Sequence, residues 1–474
     1  MATIQLLLNN SEKNHFPVYV IDNQFNYKEI LNPTQVARFE KIDIAKSNVV
    51  VFDEVIILKP TENKDLSIFR NNFRKLGALL WKQIKTEKLT EIDLYIAANQ
   101  VETSAFLEGL LLASYQFQKY KSKPIAQQNH KINIINNSLS NDNIDELVKV
   151  NTAISQVKNW VNEPVIHLNA EVFAQEMKDF VADEAVSVEI FEKSKIQALK
   201  MGGLLAINEG APNPPTFTVF EYKPENTVNQ QPIVLVGKGV VYDTGGLSLK
   251  ETANSMDIMK CDMAGGAVIA GAIYAAAKNK LPVYVVGLVP ATENRPDGNA
   301  ITPGDVITIM NGTTVEILNT DAEGRVILAD ALSYAQKYNP LITIDLATLT
   351  GSAIMTVGKH AAILCSNTDN EYKTILKNVA NETYERVVEL PLWEEYEDEI
   401  KSDIADIKNI GNGSPAGAIT ASMFLKQFVT YPWIHLDIAG PAYIKAEDSY
   451  LNKNATGYGV RLIYQFLKNI SVNG

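Results

Sequence analysis

Strand-like segments that are apolar along their whole length most constrain the fold of this 474-residue chain. The run Pro282–Val289 (Pro-Val-Tyr-Val-Val-Gly-Leu-Val) shows no alternation with charged residues, so a strand built from it must be covered on both faces. Such segments alternate with helical ones, since Ile233–Val236 precedes Met263–Ala277 and Thr314–Leu318 precedes Val326–Lys337. This alternation predicts an α/β fold with a mixed central sheet flanked by helices.

The first part of the chain repeats this alternation on a smaller scale. Its strand-like segments include Val49–Leu58, and its clearest helix is Thr103–Lys121, with Thr103 as a plausible cap. The polar stretch Asn136–Asn143 has a composition suited to a domain boundary. Because chains beyond roughly 250–300 residues usually divide, we predict two domains. The first is a small N-terminal α/β domain over residues 1–140, and the second is a larger C-terminal α/β domain over 141–474 that begins with a linking helix.

The charge balance narrows the possible partners. With 43 basic and 55 acidic residues the formal net charge is −12. An acidic surface repels the phosphates of nucleic acids and anionic lipids, so neither nucleic acid nor membrane is an expected partner. Two cysteines cannot build a disulfide framework, and no apolar run is expected to reach the roughly 18–20 residues of a membrane span. A cytoplasmic location is therefore the expectation.

Two loops near predicted strand ends carry charged groups with more than one interpretation. The first, Val236–Gly246, contains Lys238 and Asp243. A phosphate-binding role is weakly supported because the Walker pattern is absent. For this loop by itself, a purely structural ion pair between the two residues in a tight turn is about as good an interpretation as a functional role. The second loop contains Asp262, whose simplest role is to cap the helix that follows.

A third loop adds two more carboxylates, those of Asp321 and Glu323, within reach of Arg325. Residues two apart in extended backbone project to one face, although a capping cluster for the next helix stays an alternative. Four carboxylates gathered beside Lys238 would be costly unless cations neutralised them. Two divalent ions bridged by shared carboxylates would remove that cost, and oxygen ligands favour Mn²⁺, Mg²⁺ or Zn²⁺.

These loops resemble the signature of the leucyl aminopeptidase family, the dinuclear-metal cytosol aminopeptidases. The resemblance is most specific in the segment Asn319–Val326 (Asn-Thr-Asp-Ala-Glu-Gly-Arg-Val). It extends to Lys238…Asp243-x-Gly-Gly, to Lys250 and to Asp262-Met-x-Gly-Gly. It runs through most of the second half of the chain and is faint in the first 140 residues.

The resemblance implies a role for each matching residue. It makes Lys250 and Arg325 catalytic residues, with a bicarbonate ion at Arg325 as the general base. It implies two divalent ions, zinc or manganese, held by five ligands: Lys238, Asp243, Asp262, Asp321 and Glu323. It places the substrate side-chain pocket at Met259, Thr348, Gly351, Ala439 and Ala442.

The activity implied by the resemblance is that of a metalloprotease in which residues 141–474 form the catalytic domain. Such an enzyme hydrolyses the N-terminal bond of peptides with a free α-amine, through a hydroxide that bridges the metals. The small, uncharged pocket residues predict a preference for uncharged or apolar N-terminal residues such as Leu or Met. The family also implies a homohexamer built as a dimer of trimers.

Two other functions stay open from the sequence. One is a binding or regulatory protein that keeps the fold without turnover, although the full set of matching metal and catalytic residues argues against it. The other is a different dinuclear amidohydrolase, such as a Cys-Gly dipeptidase. The five histidines form no His-x-x-x-His pair, so a histidine-based zinc site is unsupported. We interpret His435 and Asp437 as packed strand residues.

Overall fold

The protein consists of two compact units. Its computed structural model describes residues 3–8, 15–21, 26–42, 48–124, 128–136, 138–369, 371–413 and 415–473. The units comprise Met1–Thr152 with Lys445–Lys453, and Ala153–Ile444 with Asn454–Gly474. Their division falls within the helix Asn141–Asn162. The predicted boundary at residue 140 precedes this helix and stays a prediction. Asn137, in the polar stretch that suggested it, lies outside the described residues.

The first unit is built on a largely parallel sheet. Its described strands are β1 (Thr3–Leu8), β2 (Phe16–Val20), β3 (Val49–Phe52), β4 (Val55–Leu58), β5 (Glu91–Ile96) and β6 (Asn129–Ile135). They lie in the order β1-β6-β5-β2-β4-β3, and each pair is parallel except β3 with β4. The helices described with them are α1 (Pro33–Phe39), α2 (Leu66–Thr86), α3 (Gln100–Ser114) and the start of α4 (Asn141–Asn162).

Helices α2 and α3 contact each other through two glycines. A Cβ atom on Gly77 would lie 2.0 Å from the carbonyl oxygen of Phe106, and one on Gly109 would lie 2.0 Å from that of Arg74. Neither position can carry a side chain while the helices stay this close. The apolar side chains of α2, α3 and the strands form the core of this unit.

A segment from near the end of the chain completes the first unit. The hydroxyl of Tyr450 donates a hydrogen bond to Asn71 Oδ1 at 2.7 Å, and both side chains are buried. The side-chain amide of Asn452 donates to the carbonyl oxygen of Ala113 at 3.4 Å. The Tyr450–Asn71 bond spans 379 positions of sequence, so this unit is not one continuous stretch of chain.

Two predicted elements of the first unit differ in the structure. The single strand predicted over Val49–Leu58 is a hairpin, because the exposed residues 53–54 form a turn between β3 and β4. The helix predicted to begin at Thr103 begins at Gln100, because Asn99 Oδ1 caps it by accepting from Glu102 N at 3.1 Å. The same helix ends at Ser114 rather than Lys121, where the backbone of Tyr115 becomes extended.

The second unit contains the larger sheet. Its described strands are β7 (Val186–Phe191), β8 (Thr216–Tyr222), β9 (Ile233–Gly237), β10 (Gly239–Asp243), β11 (Val285–Asn294), β12 (Val306–Thr308), β13 (Thr314–Glu316), β14 (Ile342–Ala347), β15 (Ala362–Ser366), β16 (Val387–Glu389), β17 (Ile407–Lys408), β18 (Trp433–Asp437), β19 (Tyr443–Ile444) and β20 (Asn454–Ala455). The main sheet has the order β16-β15-β18-β14-β9-β11-β8-β7, with β10 beside β11. It is mixed, since β18, β14, β9 and β11 are parallel whereas β8 and β15 run antiparallel to their neighbours.

Helices accompany this sheet and confirm the predicted α/β class. Those described are the remainder of α4, α5 (Ala170–Phe180), α6 (Lys193–Ala198), α7 (Gly202–Asn208), α8 (Ala264–Lys278), α9 (Glu323–Ala335), α10 (Gly351–Val357), α11 (Glu371–Thr383), α12 (Gly417–Lys426) and α13 (Val460–Asn473). Both α8 and α9 contact β9 and β11 at the centre of the sheet.

The expectation that no segment could reach the length of a membrane span was wrong. The helical segment Met256–Lys278, which contains α8, is long and apolar enough by length and composition. About 78% of its most apolar window is buried inside the protein. Its apolar character is accounted for by packing against the sheet, as in the core helix of a globular domain.

The parallel strands at the centre of the sheet determine where functional side chains can gather. Strands β10, β11, β9, β14 and β18 run in the same direction, so their carboxyl ends meet at one edge. In open α/β sheets, ligands bind beyond this edge. The loops that follow β9, β10, β14 and β18 carry most of the residues singled out from the sequence.

Candidate metal centre

Lys238 follows β9 and holds two acidic side chains together. Its buried Nζ lies 2.8 Å from oxygens of both Asp262 and Glu323. It also donates to the carbonyl oxygen of Thr348 at 3.1 Å, and Thr348 Oγ1 donates to Asp262 Oδ1 at 2.8 Å. Burial would lower the pKa of Lys238, but the carboxylates of Asp262 and Glu323 outweigh burial and raise it. Lys238 is therefore a cation in this arrangement.

Lys250 forms a second connection across the site. Its Nζ lies 2.9 Å from Asp243 Oδ2 and pairs with Asp321 Oδ1. Asp243 Oδ1 accepts hydrogen bonds from the backbone N–H of Gly245 and the side-chain amide of Asn294, each at 2.8 Å. Lys250 thereby links the end of β10 to the loop that precedes α9.

Glu323 is the first residue of α9, three residues before the predicted helix start at Val326. Its side chain is buried, and its Oε2 has no hydrogen-bond partner among the described residues. The N-cap of α9 is Ala322, with no side-chain cap bond, so the interpretation of this loop as a capping cluster was wrong.

The helix-cap interpretation of Asp262 was also wrong. Helix α8 has Met263 at its N-cap and no side-chain cap bond. The oxygens of Asp262 instead contact Lys238 and Thr348. Lys238, in the loop after β9, pairs with Asp262 and Glu323 rather than forming the ion pair with Asp243 in a tight turn.

Three of the carboxylates come close enough to bind one cation together. One oxygen each from Asp243, Asp321 and Glu323 lie within 4.8 Å of one another. Burial, reinforced by the Glu323 charge, raises the pKa of Asp243 to about 7, and burial also raises the pKa of Asp262 and Asp321. Burial opposes ionisation of Glu323 as well, but Lys238 and Lys250 hold the pKa of Glu323 below its usual value. This accumulation of negative charge favours a cation.

Divalent metal binding fits these side chains. Four carboxylates against two ammonium groups leave an excess of negative charge in a buried place. Glu323 Oε2 is a buried acceptor with no partner among the described residues, and such an atom costs free energy unless a ligand uses it. Carboxylate oxygens suit Mn²⁺, Mg²⁺ or Zn²⁺. For Lys238 to act as a ligand an ion must replace its proton, because only the neutral amine offers a lone pair.

Arg325 lies two residues after Glu323 on α9. Its Nη1 donates to the carbonyl oxygen of Asn409 at 2.8 Å, while its buried Nε has no hydrogen-bond partner in the part of the chain described. Burial lowers the pKa of Arg325 to about 10, against the opposing charges of Glu323 and Asp437. The guanidinium thus remains positive at neutral pH, with donor capacity that an anion could use.

The predicted pocket residues occupy three segments of the second unit. Met259 lies in the short 3₁₀ helix Met256–Cys261. Thr348 and Gly351 follow β14, and a Cβ atom added at Gly351 would meet open space. The last two, Ala439 and Ala442, follow β18, and the second of them is buried.

Sequence reasoning missed two residues that hold the acidic loops. Asn294, the last residue of β11, donates through its amide to Asp243 Oδ1 at 2.8 Å and to the carbonyl oxygen of Thr320 at 2.9 Å. Thr320 Oγ1 donates to the carbonyl oxygen of Gly245 at 2.6 Å and accepts from Ser248 N at 2.8 Å. The available signal was the position of Asn294 at the end of an apolar strand.

Comparison with known proteins identifies the family. Residues 155–464 match the model of the cytosol aminopeptidase family, catalytic domain, and this range contains every residue of the site. The chain belongs to the cytosol aminopeptidase family. Residues 63–124 match the N-terminal domain of the same family. Membership in the cytosol aminopeptidase family, the leucyl aminopeptidases suspected from the sequence, makes the protein a metal-dependent aminopeptidase.

Individual members of the cytosol aminopeptidase family align over much of the chain. The probable cytosol aminopeptidase of Chlorobaculum tepidum is 45% identical over 78% of this chain and 76% of its own length. The probable cytosol aminopeptidase of Clostridium perfringens is 36% identical over 96% of this chain and 94% of its own length. A solved structure, the bottromycin maturation enzyme BotP in complex with Mn, is 27% identical with a TM-score of 0.85 and covers 96% of this chain and 99% of its own.

Proposed function

We propose that the protein releases the N-terminal residue from peptides that carry a free α-amine, using two divalent ions. The observation that carries this proposal is a buried cluster: Lys238 contacts Asp262 and Glu323, and Glu323 lies close enough to Asp243 and Asp321 to bind one cation with them. The buried Oε2 of Glu323 has no hydrogen-bond partner among the described residues. The proposed metal ligands are Lys238, Asp243, Asp262, Asp321 and Glu323. Two ions held there would supply Lewis acidity for the scissile carbonyl and would lower the pKa of a bound water enough to yield hydroxide near neutral pH.

Lys250 and Arg325 are the proposed catalytic residues of the chain itself. The ammonium of Lys250 lies at the edge of the acidic group, where it can stabilise negative charge that develops on the carbonyl oxygen. Arg325 has a buried donor without a partner among the described residues, which supports its proposed role in holding a bicarbonate ion as general base. Both roles require a positive charge that is shielded from water, where it acts more strongly than at the surface.

The proposed side-chain preference is for uncharged N-terminal residues such as Leu or Met. Its support is the composition of the proposed pocket, which offers no charged group to pair with a charged substrate side chain. The pocket residues are Met259, Thr348, Gly351, Ala439 and Ala442.

The proposed ions are zinc or manganese. The Mn bound in the solved BotP structure supports manganese, and the oxygen-rich ligand set accommodates either ion. We further propose a cytoplasmic protein without nucleic-acid or membrane partners, in which residues 141–474 form the catalytic domain and 1–140 the N-terminal domain. We also propose a homohexamer, built as a dimer of trimers.

Removal and return of metal tests this function. Protein stripped with a chelator should lose activity on Leu and Met p-nitroanilides and regain it on addition of Mn²⁺ or Zn²⁺. The matched control substrate is the N-acetylated Leu anilide, which should resist cleavage because its amine is blocked. Equal cleavage of the acetylated substrate would indicate a general amidase instead. A protein that binds metal stoichiometrically yet cleaves neither substrate would be a binding protein.

A further inference from the structure

We propose that Asp437 is a positioning residue that sets the spacing between two loops of the substrate side-chain pocket, an inference that rests on the proposed function. Asp437 is the last residue of β18 and is buried. Its Oδ1 accepts from the backbone N–H groups of Leu349 and Ala439, both at 3.1 Å. Its Oδ2 accepts from the hydroxyl of Thr350 at 2.7 Å.

The donors to Asp437 belong to the two loops that carry most of the pocket. Thr348 and Gly351 flank the donors of the first loop, which connects β14 to α10. Ala439 and Ala442 lie in the second loop, which follows β18. One carboxylate therefore ties together the backbone of both loops, although its own side chain has no place in the proposed pocket.

The same carboxylate fixes the start of α10. The Thr350 hydroxyl that donates to Asp437 also caps this helix by accepting from Ala353 N at 3.0 Å. A backbone bond from Ile438 N to the carbonyl oxygen of Ala347, at 2.8 Å, holds the strand ends beside it. The loop after β14 is thus anchored at its strand end and its helix end, and Asp437 anchors the part between them.

The charge of Asp437 also acts on Arg325. It is one of two negative charges that favour the protonated form of this buried guanidinium. Asp437 thereby connects the pocket loops with a proposed catalytic residue that belongs to α9.

Removing the carboxylate should loosen the pocket selectively. In Asp437→Ala, three donors lose their acceptor and the two loops can separate. A hydrophobic pocket distinguishes side chains that differ by one or a few methylenes by about 10–200-fold. We therefore expect the ratio of kcat/KM for Leu over Ala anilide to fall about tenfold in Asp437→Ala, mainly through KM for the Leu substrate.

The experiment uses the full-length, Mn²⁺-loaded protein and three variants. Asp437→Asn should retain most of the wild-type Leu-over-Ala selectivity, because its amide oxygen can still accept from the backbone N–H groups of Leu349 and Ala439. The matched control is Asp330→Ala, which removes another buried carboxylate that accepts backbone N–H groups, those of Leu204 and Met310 at 2.8 and 2.9 Å. It should lower the melting temperature and leave the selectivity ratio unchanged.

A second measurement tests whether the two loops become more mobile, independently of catalysis. Hydrogen–deuterium exchange of residues 347–353 and 437–443 should accelerate in Asp437→Ala and stay near wild type in Asp437→Asn. If Asp437→Ala does not fold, Thr350→Val removes one of the three donors and should shift the ratio and the exchange in the same direction.

The possible failures are distinguishable. A wild-type protein that cleaves neither substrate overturns the proposed function. Hydrogen–deuterium exchange would still test whether Asp437 anchors the two loops. An active wild type whose selectivity ratio is unchanged in Asp437→Ala, or in Thr350→Val where Asp437→Ala does not fold, overturns this inference alone. A ratio that falls equally in Asp330→Ala overturns it too, because the effect would then follow from lost stability.

Discussion

Lys250 and Asp321 face each other in the acidic group, and their substitution should separate metal binding from turnover. Asp321→Ala should lose metal and activity together, because it removes a carboxylate of the closely spaced set. Lys250→Ala should keep its metal, since it removes a cation that competes for the same carboxylates. Its turnover should fall about 10²–10³-fold, as on loss of a group that stabilises developing charge. Metal content by mass spectrometry and kcat on the Leu anilide measure both effects.

Lys278→Ala is the control for this pair of substitutions. Lys278 pairs with Glu184 at 2.6 Å, away from the site residues, and its loss should change neither metal content nor kcat. Full turnover by Lys250→Ala would show that the role proposed for Lys250 is wrong.

Among individual residues, the closeness of acidic side chains could be predicted from the sequence, but the residues that hold them in place could not. The two-residue spacing of Asp321 and Glu323 predicts carboxylates on one face if the backbone is extended. Asn294 carries no such pattern, because its contacts to Asp243 and Thr320 span 51 and 26 positions. Asp437 was interpreted as a packed strand residue for the same reason, since its donors Leu349 and Thr350 lie 88 and 87 positions away.

The start of α9 packs against the loop after β9 so closely that only glycine fits. A Cβ atom on Gly324 would lie 2.5–2.8 Å from Cδ, Cε and Nζ of Lys238. We expect Gly324→Ala to displace the Lys238 ammonium from Asp262 and Glu323. The variant should bind less metal, and its activity should fall at least about tenfold, since a small misplacement of a site group costs this much or more.

Gly298→Ala is the matched control for that change, because a Cβ atom there would meet nothing within 4 Å. Metal titration monitored by calorimetry compares the two variants. Equal metal affinity of Gly324→Ala and wild type would contradict the proposed role of Lys238 as a ligand.

The long buried strands could be predicted because a strand covered on both faces is apolar along its whole length, which is visible in its own sequence. Helix α7 could not, because it begins with Gly202 and Gly203, which are poor helix formers. It is stabilised from outside, since Asp330 Oδ2 accepts from Leu204 N at 2.8 Å across 126 positions. The hairpin of β3 and β4 was missed because a two-residue turn interrupts an otherwise uniform run.

For the whole molecule, stability should depend on the pH through Lys158. Burial lowers the pKa of this fully buried lysine to about 7, with the charge of Arg461 adding to the effect. Between pH 7 and the ordinary lysine pKa near 10.5, the unfolded chain binds more protons than the folded one. The free energy of unfolding should therefore rise with pH in this window, by up to about 1.4 kcal/mol per pH unit, and this contribution should be constant below it.

Urea unfolding at several pH values measures this slope. Lys158→Met should remove the rise, whereas Lys149→Met on the same helix, where the lysine pairs with Asp145 at 2.6 Å, should keep it. A slope that is unchanged in Lys158→Met would mean that other groups produce it.

The return of the segment Lys445–Lys453 to the first unit affects how the protein is made. During synthesis Tyr450 emerges 379 residues after Asn71, so the hydrogen bond between them cannot form until this later segment has been made. A gene fragment that ends before this segment would yield an incomplete first unit. Excising that unit as an independent module would require the late segment to be grafted back, for example by circular permutation.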